Sequence, residues 1–546
     1  MARARIGCIA AVLACLPPLT ARAADVQADP TSYQALLTTL KPGDTLRLAA
    51  GDYTAGMNLF DLHGDAQHPI VISGPATGAA AVLLGKSGKN TIDIRDASYL
   101  VIENLVLDGQ GISGIDAIKA GGQATNWAHH ITIQNCTITG HDGGGTSQQT
   151  VGISTKIVAW DWVVRGNLID GAGTGAYFGN SDGTRAFIGG VIEGNLFRDT
   201  LGYNMQIKQQ NDRQQADVPQ VPTDPRVTVI RHNVFLKSDN PSPDGARPNL
   251  LVDGPPDTGP GSQDRVEIYG NLFVHNDDDA LFQGNGRLHI HDNVFVDSLN
   301  PAIRLTNHAG KTVIEALVYN NTIYDVATGV QFSSAPSGPS LVAGNAIFSP
   351  NPLSGTLPSQ ADNVSDAVAN AGNYVVMPSK LLGQMDFYPK SGSALSGSAI
   401  DLSSASGDQD YDRDFNGTQK SFAYRGAYSG QGTNPGWQLA DDHKPLGSSG
   451  GASGAAGAPS GGAASGGSAG LAGGGAANGG AANGGAGNGG AGNGGAAGLA
   501  GGASGGAASG DSGEGGGCGC RSSRTPTGSA WLWAALGALV ALRRRR

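Results

Sequence analysis

A short phrase repeated along the chain constrains its fold more than any other feature. Each copy has a β-branched residue, two or three further positions, an Asn, and a large apolar residue two positions later, as from Val229 to Phe235. Regular repeats that are each too short to bury an apolar face alone are typical of solenoids. The phrase therefore predicts pairs of short strands joined at a bend, in a right-handed parallel β-helix. Nine copies, at intervals of 22 to 38 residues, contain Asn104, Asn135, Asn167, Asn195, Asn233, Asn271, Asn293, Asn321 and Asn345.

The repeated asparagines are expected to be structural. An Asn tolerates left-handed backbone geometry at a bend, and its amide can bond to the neighbouring backbone. Identical amides one coil apart can also form a ladder along the stack. Cys136 occupies an apolar position of the same repeat, so we expect a lone core thiol and no disulfide framework.

A second strand lies between successive Asn phrases. Because side chains alternate across a strand, Met205, Ile207 and Val252 are predicted to point inward. The alternate positions then face outward and form the most polar surface of the repeat. They are Gln206, Lys208, Asp253, Gln283, Arg304 and Gln331.

The chain is predicted to have four segments. Residues 1–23 combine two arginines, an apolar run and a small-x-small cleavage site, which indicates a signal peptide and export. Residues 24–445 form the β-helix domain, and Tyr33, Leu36, Leu37 and Leu40 are spaced as in a short helix that caps its open end. Residues 446–517 are almost wholly Gly, Ala, Ser and Asn, which predicts a flexible tether. Residues 518–546 hold Cys518, Cys520, an apolar run and terminal arginines.

Two resemblances follow from these residues. The stretch from Tyr33 to Tyr53, with the coils after it and the closing segment from Asp386 to Tyr428, resembles secreted β-helix proteins of the pectate-lyase type, nearest to the chondroitinase B and alginate lyase family. The order of cysteines, apolar run and arginines after residue 517 resembles the myxobacterial carboxyl-terminal sorting tag (MYXO-CTERM). The second resemblance implies display on the cell surface through modification at Cys518 or Cys520; a simple tail anchor is the alternative.

Charge narrows the choice of partner. The chain has a formal net charge of −10, and removal of both processed ends would take away only arginines among the charged residues. An acidic surface repels nucleic acid at long range, so nucleic-acid binding is excluded as a function. An acidic polysaccharide remains a possible partner if cations or basic residues are concentrated in one groove. We expect the protein to act as a monomer.

The best candidate groove lies where Lys208 projects from the outward strand face. A lyase of uronic acid polymers needs a group that neutralises the sugar carboxylate, a base for the C5 proton and an acid for the leaving oxygen. Lys208, Arg247 and Arg213 are the candidate catalytic residues, and Gln206, Gln283 and Arg304 are candidate substrate contacts. Calcium is a candidate cofactor, with Asp253, Asp277 and Asp278 as its ligands.

Two other functions fit the same residues. Paired aspartates such as Asp277 and Asp278 can hydrolyse a glycosidic bond, as in polygalacturonases, although the other motifs of that family are absent. Alternatively, the outward polar face binds glycans without cleaving them. The sequence favours a surface-tethered polysaccharide lyase over both.

Overall fold

Stacked coils of three short strands make up the body of the protein. The computed structural model describes residues 23–146, 149–243 and 245–446. Strands on each side of a coil pair in parallel with those of the next coil. Each coil therefore has three faces, here named A, B and C in the order in which the chain meets them. This arrangement confirms the predicted parallel β-helix.

The strands of the three faces have the following bounds. Face A contains Asp25–Ala28, Thr45–Leu48, Ile70–Ser73, Ala97–Glu103, Trp127–Gln134, Val163–Arg165, Val191–Glu193, Val227–Arg231, Arg265–Tyr269, Gly286–His291, Val313–Tyr319, Leu341–Ala343 and Ser359–Ala361, with Val158–Trp160 and Phe187–Ile188 at its side. Face B contains Gly51–Tyr53, Ala81–Leu84, Leu105–Asp108, Thr137–Thr139, Leu168–Asp170, Leu196–Arg198, Val234–Leu236, Leu272–Asn276, Ala346–Phe348 and Val364–Asp366. Face C contains Met57–Phe60, Ile92–Arg95, Ile118–Ala120, Val151–Thr155, Thr174–Phe178, Met205–Ile207, Leu250–Val252, Phe282–Gly284 and Leu353–Gly355. Two long strands, Val294–Leu305 and Thr322–Phe332, run from face B into face C.

One apolar core runs through the stack. Met205, Ile207 and Val252 point into it, as the alternation predicts. On face B, phenylalanine rings of successive coils stack on one another; for example, the ring centroids of Phe273 and Phe295 are 4.6 Å apart. Each coil thus buries its apolar side chains against the next, which is the interaction that a solenoid requires.

An asparagine ladder follows the corner between faces A and B. In each step the side-chain amide nitrogen of one Asn donates to the side-chain oxygen of the Asn in the next coil, and the same oxygen accepts the backbone N–H of the first Asn, as between Asn233 and Asn271. The amide nitrogen also donates to a backbone carbonyl of the preceding coil. The ladder amides are hydrogen-bonded, and all but Asn363 are buried, so their role is structural, as predicted. The ladder runs through Asn167, Asn195, Asn233, Asn271, Asn293, Asn321, Asn345 and Asn363.

The ladder differs from the prediction in one respect. The left-handed residue of each bend is the one immediately before the ladder position, as at Asp292 and Asn320. Asn104 and Asn135 are themselves left-handed residues, so the ladder position of the latter coil is occupied by Cys136, whose backbone N–H donates to Asn167. The bend position and the ladder position need different geometry. Only the ladder residue points its side chain along the stack. Cys136 is buried as a free thiol, and burial raises its pKa to about 12.

The ends of the solenoid are covered. The helix Tyr33–Leu37 buries Tyr33 and Leu37 against the first coil, which confirms the predicted cap. After the last coil come the short 3₁₀ helices Val368–Asn373 and Ser403–Ala405 and an antiparallel pair, Val375–Met377 with Asp386–Pro389.

Residues 408–446 then return along the corner between faces A and B, and we name them the strap. The strap contacts the left-handed bend residues of several coils, although not in their order along the stack. Arg425 pairs with Asp362, Lys420 pairs with Asp292 at 2.6 Å, Lys444 donates to the carbonyl of Gly270 at 2.7 Å, and Leu446 packs on Gly194.

The predicted signal peptide, the Gly-rich tether, and Cys518 and Cys520 lie outside the described residues, so they remain predictions. Across 23–146, 149–243 and 245–446, no helix is long and apolar enough to cross a membrane.

Candidate functional site

Lys208 and Asp253 meet on face C, as the aligned repeats predicted. Ile207 pairs with Val252 in register, and the next residue of each strand is Lys208 or Asp253. The two side chains therefore lie on neighbouring coils, and Lys208 Nζ is 3.7 Å from Asp253 Oδ2. The Lys208 side chain is 12% exposed and reaches the surface of face C.

The Asp253 carboxylate is buried and only half satisfied. Its side chain is 0% exposed, and Oδ1 accepts hydrogen bonds from His308 Nδ1 at 2.8 Å and Asn285 Nδ2 at 3.0 Å. Oδ2 is also buried but accepts no hydrogen bond from the described residues. A buried carboxylate oxygen without a donor is costly. The positive group paired with this oxygen is the Lys208 ammonium, at 3.7 Å.

His308 was missed from the sequence. It lies in the turn after the long strand Val294–Leu305, where Ala309 and Gly310 adopt left-handed conformations and bring the chain back within four residues. Its side chain is 31% exposed. The repeat pattern does not extend into this turn, and its position beside Asp253 depends on the path of the turn. From the sequence alone, the only signal was a His next to a turn that contains a Gly.

Lys156 is a second residue that the prediction omitted. The register Ile153 to Ala176 to Met205 places it two coils from Lys208 in the same row, with Gly179 between them. Lys156 Nζ lies 2.8 Å from the centroid of the Tyr177 ring, and burial lowers its pKa well below the ordinary value. Alignment of the face C strands could have identified Lys156, because Lys156 and Lys208 each follow the same inward-facing position of their strands.

The same row of coils carries one more basic group. Lys119 Nζ is 3.7 Å from Asp116 Oδ2, which also accepts the hydroxyl of Ser154 at 2.7 Å. Three lysines, Lys119, Lys156 and Lys208, therefore occur within four successive coils of face C. Lysines are thus concentrated on one face of a chain that is acidic as a whole, and Lys119 and Lys208 are each paired with an aspartate.

Two of the predicted catalytic residues are not beside Lys208. Arg247 precedes the strand Leu250–Val252, so it lies at the opposite edge of face C, where its guanidinium is 5.7 Å from the ring centroid of Tyr203. Arg213 is 1% exposed and pairs with Asp264 at 2.6 Å. Burial lowers the Arg213 pKa. A guanidinium enclosed in this way is out of reach of a polymer on face C, so the structure places Arg213 in a structural pair.

The predicted substrate contacts follow the central row of face C. Gln206, Gln283 and Arg304 are in one register, with Arg304 three coils from Gln206. Arg304 pairs with Asp279 and also donates to Gln283 Oε1 at 3.2 Å, while Gln206 is almost fully buried. Gln283 and Arg304 remain partly exposed, so this end of the row is accessible to a ligand.

The predicted calcium ligands do not converge. Asp253 is engaged with Lys208 and His308, whereas Asp277 and Asp278 are exposed at the edge of face C. Asp278 accepts the backbone N–H of Ser242 at 3.2 Å. In the described residues, these three carboxylates are therefore not close enough together to bind one cation.

A different cluster has suitable spacing for a cation. One ligand atom each from Glu267, His289 and Asp408 lie within 4.8 Å of one another on face A. Both ring nitrogens of His289 are already bonded, however, to Asp408 at 2.6 Å and Glu315 at 3.2 Å. Burial opposes its charge, but these hydrogen bonds outweigh burial and raise the His289 pKa to about 9. His289 would therefore have to release a proton before this cluster could bind a cation.

Comparisons with known proteins place lyases and epimerases among the similar structures. No family model matches the chain, and no curated protein matches it. A mutant of the PL6 family alginate lyase AlyGC is similar at 16% identity, with 68% of this chain and 56% of that chain covered and a TM-score of 0.45. The chain thus spans about half the length of that lyase.

Two further structures show the same range of similarity. The A-module of the Azotobacter vinelandii mannuronan C-5 epimerase AlgE4 has 16% identity, 63% and 93% coverage and a TM-score of 0.41. A mannuronic acid specific family 6 lyase from human gut microbiota has 15% identity, 63% and 82% coverage and a TM-score of 0.35. The named activities are those of the compared proteins; this chain is a parallel β-helix with a polar, lysine-bearing face.

Proposed function

We propose that the protein is an exported, surface-tethered lyase that cleaves an acidic polysaccharide by β-elimination. The observation that carries the proposal is the buried Asp253 carboxylate on face C, with the Lys208 amine near one oxygen and the His308 imidazole on the other. Export and tethering rest on the sequence patterns of residues 1–23 and 446–546.

The charges of face C support an anionic ligand. Lys119, Lys156 and Lys208 lie within four successive coils of face C in a protein whose net charge is negative. A local positive region attracts an anion that the rest of the surface repels. A long polymer can follow such a row because each coil repeats the strand spacing of about 4.8 Å.

The reactive groups match the needs of elimination. The proton at C5 of a uronic acid becomes removable when positive charge lies near the sugar carboxylate, and Lys208 supplies such a charge at the surface. An imidazole or a neutral amine can take a proton, and an ammonium can give one to the leaving oxygen. Face C contains a group of each kind: His308, Lys156 and Lys208.

The test is the ultraviolet absorbance of unsaturated uronate ends. The purified full-length chain is incubated with alginate, pectate and chondroitin, with calcium or with a chelator. We expect a rise with at least one polymer, and a loss of about 10²–10⁴-fold in rate for Lys208→Ala, since proton transfer and charge stabilisation contribute on that order. The matched control is Lys380→Ala, which removes an exposed lysine that pairs with Asp297 and Asp325 away from face C.

Two other outcomes would replace the proposal. New reducing ends without absorbance would indicate a hydrolase. Binding of a polymer without any cleavage would indicate a glycan-binding solenoid that uses the row of Gln206, Gln283 and Arg304.

A further inference from the structure

We propose that His308 is the base that removes the sugar proton at this site and that Asp253 is the residue that positions it. This inference rests on the proposed lyase function and assigns a role within it. His308 bonds to Oδ1 of Asp253, whereas Lys208 lies near Oδ2.

The hydrogen bond between His308 and Asp253 determines which nitrogen is available. A carboxylate oxygen accepts hydrogen bonds, so Nδ1 of His308 must carry the proton in the 2.8 Å contact with Asp253 Oδ1. In the neutral ring the lone pair is therefore on Nε2. The ring is 31% exposed, and within the described residues Nε2 has no hydrogen-bond partner, so it is available to a ligand on face C.

Asp253 is itself held firmly. Asn285 Nδ2 donates to the same oxygen that His308 contacts, and the backbone N–H of Asp253 donates to the carbonyl of Ile207. The carboxylate is 0% exposed. An acid buried and bonded in this way fixes the orientation of the imidazole and stabilises the imidazolium that forms when Nε2 takes a proton.

The charged groups around His308 are few. Asp253 faces it from the end of one face C strand, and Lys208 lies beyond the same carboxylate on the neighbouring coil. Lys311 belongs to the turn of His308 but points to Asp257, at 3.1 Å. Asp253 is thus the charge in direct contact with the ring.

The two other basic groups are less suited to take the proton. Lys208 is paired with the Asp253 carboxylate at 3.7 Å, and the ammonium of such a pair can donate a proton but has no lone pair to accept one. Lys156 has a lowered pKa, but it is two coils from Lys208 and lies against the Tyr177 ring. Lys156 is therefore the competing candidate that the experiment must exclude.

The elimination balances with the groups present. The lone pair of His308 Nε2 takes the C5 proton, and the electrons of the C5–H bond form the C4–C5 double bond. The C4–O bond breaks, and its electron pair stays on the departing oxygen, which takes a proton from the Lys208 ammonium. Exchange with water then removes the proton from His308 and returns one to Lys208, so neither an oxidant nor a cofactor is required.

The experiment compares His308→Gln with wild type, Lys208→Ala and Lys156→Met over a range of pH. We expect His308→Gln to lower kcat about 10²–10⁴-fold with a small change in KM. We also expect it to abolish the acidic limb of the pH–rate profile, which protonation of Nε2 would produce in wild type. The control is His68→Gln, which removes an exposed His that pairs with Asp65 at 3.0 Å on a distant coil.

A second variant separates chemistry from folding. In His308→Ala, added imidazole should restore part of the rate, and the rescue should grow as the imidazole becomes neutral; a purely structural role would give no such rescue. The inference is overturned if Lys208→Ala is inactive while His308→Gln keeps its rate and pH profile, or if Lys156→Met removes the acidic limb instead. If wild type forms no unsaturated ends on any polymer, the proposed function itself fails, and the inference fails with it.

Discussion

Two histidine–aspartate pairs on different faces of the solenoid show how similar residues serve different ends. On face A, His289 donates from both ring nitrogens, to Asp408 and Glu315, and Asp408 also accepts the hydroxyl of Tyr319 at 2.9 Å. On face C, His308 is bonded through one nitrogen, and Asp253 has one oxygen without a donor among the described residues.

The difference lies in what remains available. The face A pair is closed, because the strap covers it and every ring nitrogen is used; it stabilises the fold. The face C pair is open, because within the described residues His308 Nε2 has no hydrogen-bond partner and Asp253 Oδ2 has only the Lys208 ammonium at 3.7 Å. We infer that an unpartnered nitrogen at the surface, rather than the residue type, distinguishes the face C pair, because the buried His291 also has an unpartnered Nε2 but is 0% exposed.

The largest expected effect comes from Asp253→Asn. The amide keeps the size of the side chain but removes the charge that orients His308, so the elimination rate should fall about 10²–10⁴-fold. The measurement is the initial rate of absorbance from unsaturated ends. Asp257→Asn is the control, since Asp257 also pairs with a lysine but is largely exposed. Equal rates for the two variants would mean that the open pair has no role in turnover.

A smaller effect is expected at the closed pair. His289→Gln removes an imidazolium whose pKa is raised to about 9, against an ordinary value of 6.5, a shift that corresponds to about 3 kcal/mol. At pH 7 the unfolded chain has already lost most of this proton, so the free energy of unfolding should fall by about 2–3 kcal/mol. His308→Gln should change it by less than about 1 kcal/mol. Urea denaturation measures both, and a larger loss for His308→Gln would reverse the comparison.

The pH dependence of the closed pair sharpens the contrast. A folded-state pKa above the unfolded value gives stability that is fully present below pH 6.5 and is lost as pH rises through about 9. The difference in unfolding free energy between wild type and His289→Gln should therefore shrink from pH 6 to pH 10.

The unfolding free energy of His289→Gln must be compared with that of wild type at each pH, because Lys444 changes stability with pH in the opposite direction. Burial lowers the Lys444 pKa to about 7, so its contribution to stability increases as pH rises above that value. If the difference between wild type and His289→Gln stayed constant with pH, His289 would not be charged in the fold.

The smallest effect is expected on removal of divalent cations. Because protons occupy His289 in the Glu267, His289 and Asp408 cluster, a chelator at pH 7 should shift the thermal midpoint of unfolding by less than about 1 °C. Differential scanning calorimetry with and without the chelator measures this. A shift of several degrees would show that a cation contributes to the closed pair.

The sequence predicted the fold well because the fold repeats. A phrase that returns in each coil identifies the inward residues and the ladder, and even the pairing of Lys208 with Asp253 follows from aligned strands. Only the ladder register was misjudged, at Asn104 and Asn135, because a bend and a ladder position are adjacent and both accept Asn.

The candidate site was predicted only where it lies on strands. His308 lies in a turn whose path no repeat encodes, and Arg213 is in a long loop that folds inward onto Asp264. Arg247 was expected near Lys208 because its segment forms the next coil, but Arg247 lies before its strand and Lys208 lies after its own. Loop side chains of this kind need the three-dimensional path of the backbone.

The strap determines from which side the protein can be held. The described part of the strap ends at Leu446 beside Gly194, on the corner between faces A and B, and in a three-sided coil this corner is opposite face C. A label or support attached directly at Leu446 would therefore lie on the side of the coils away from the lysines of face C and leave that face accessible to solvent.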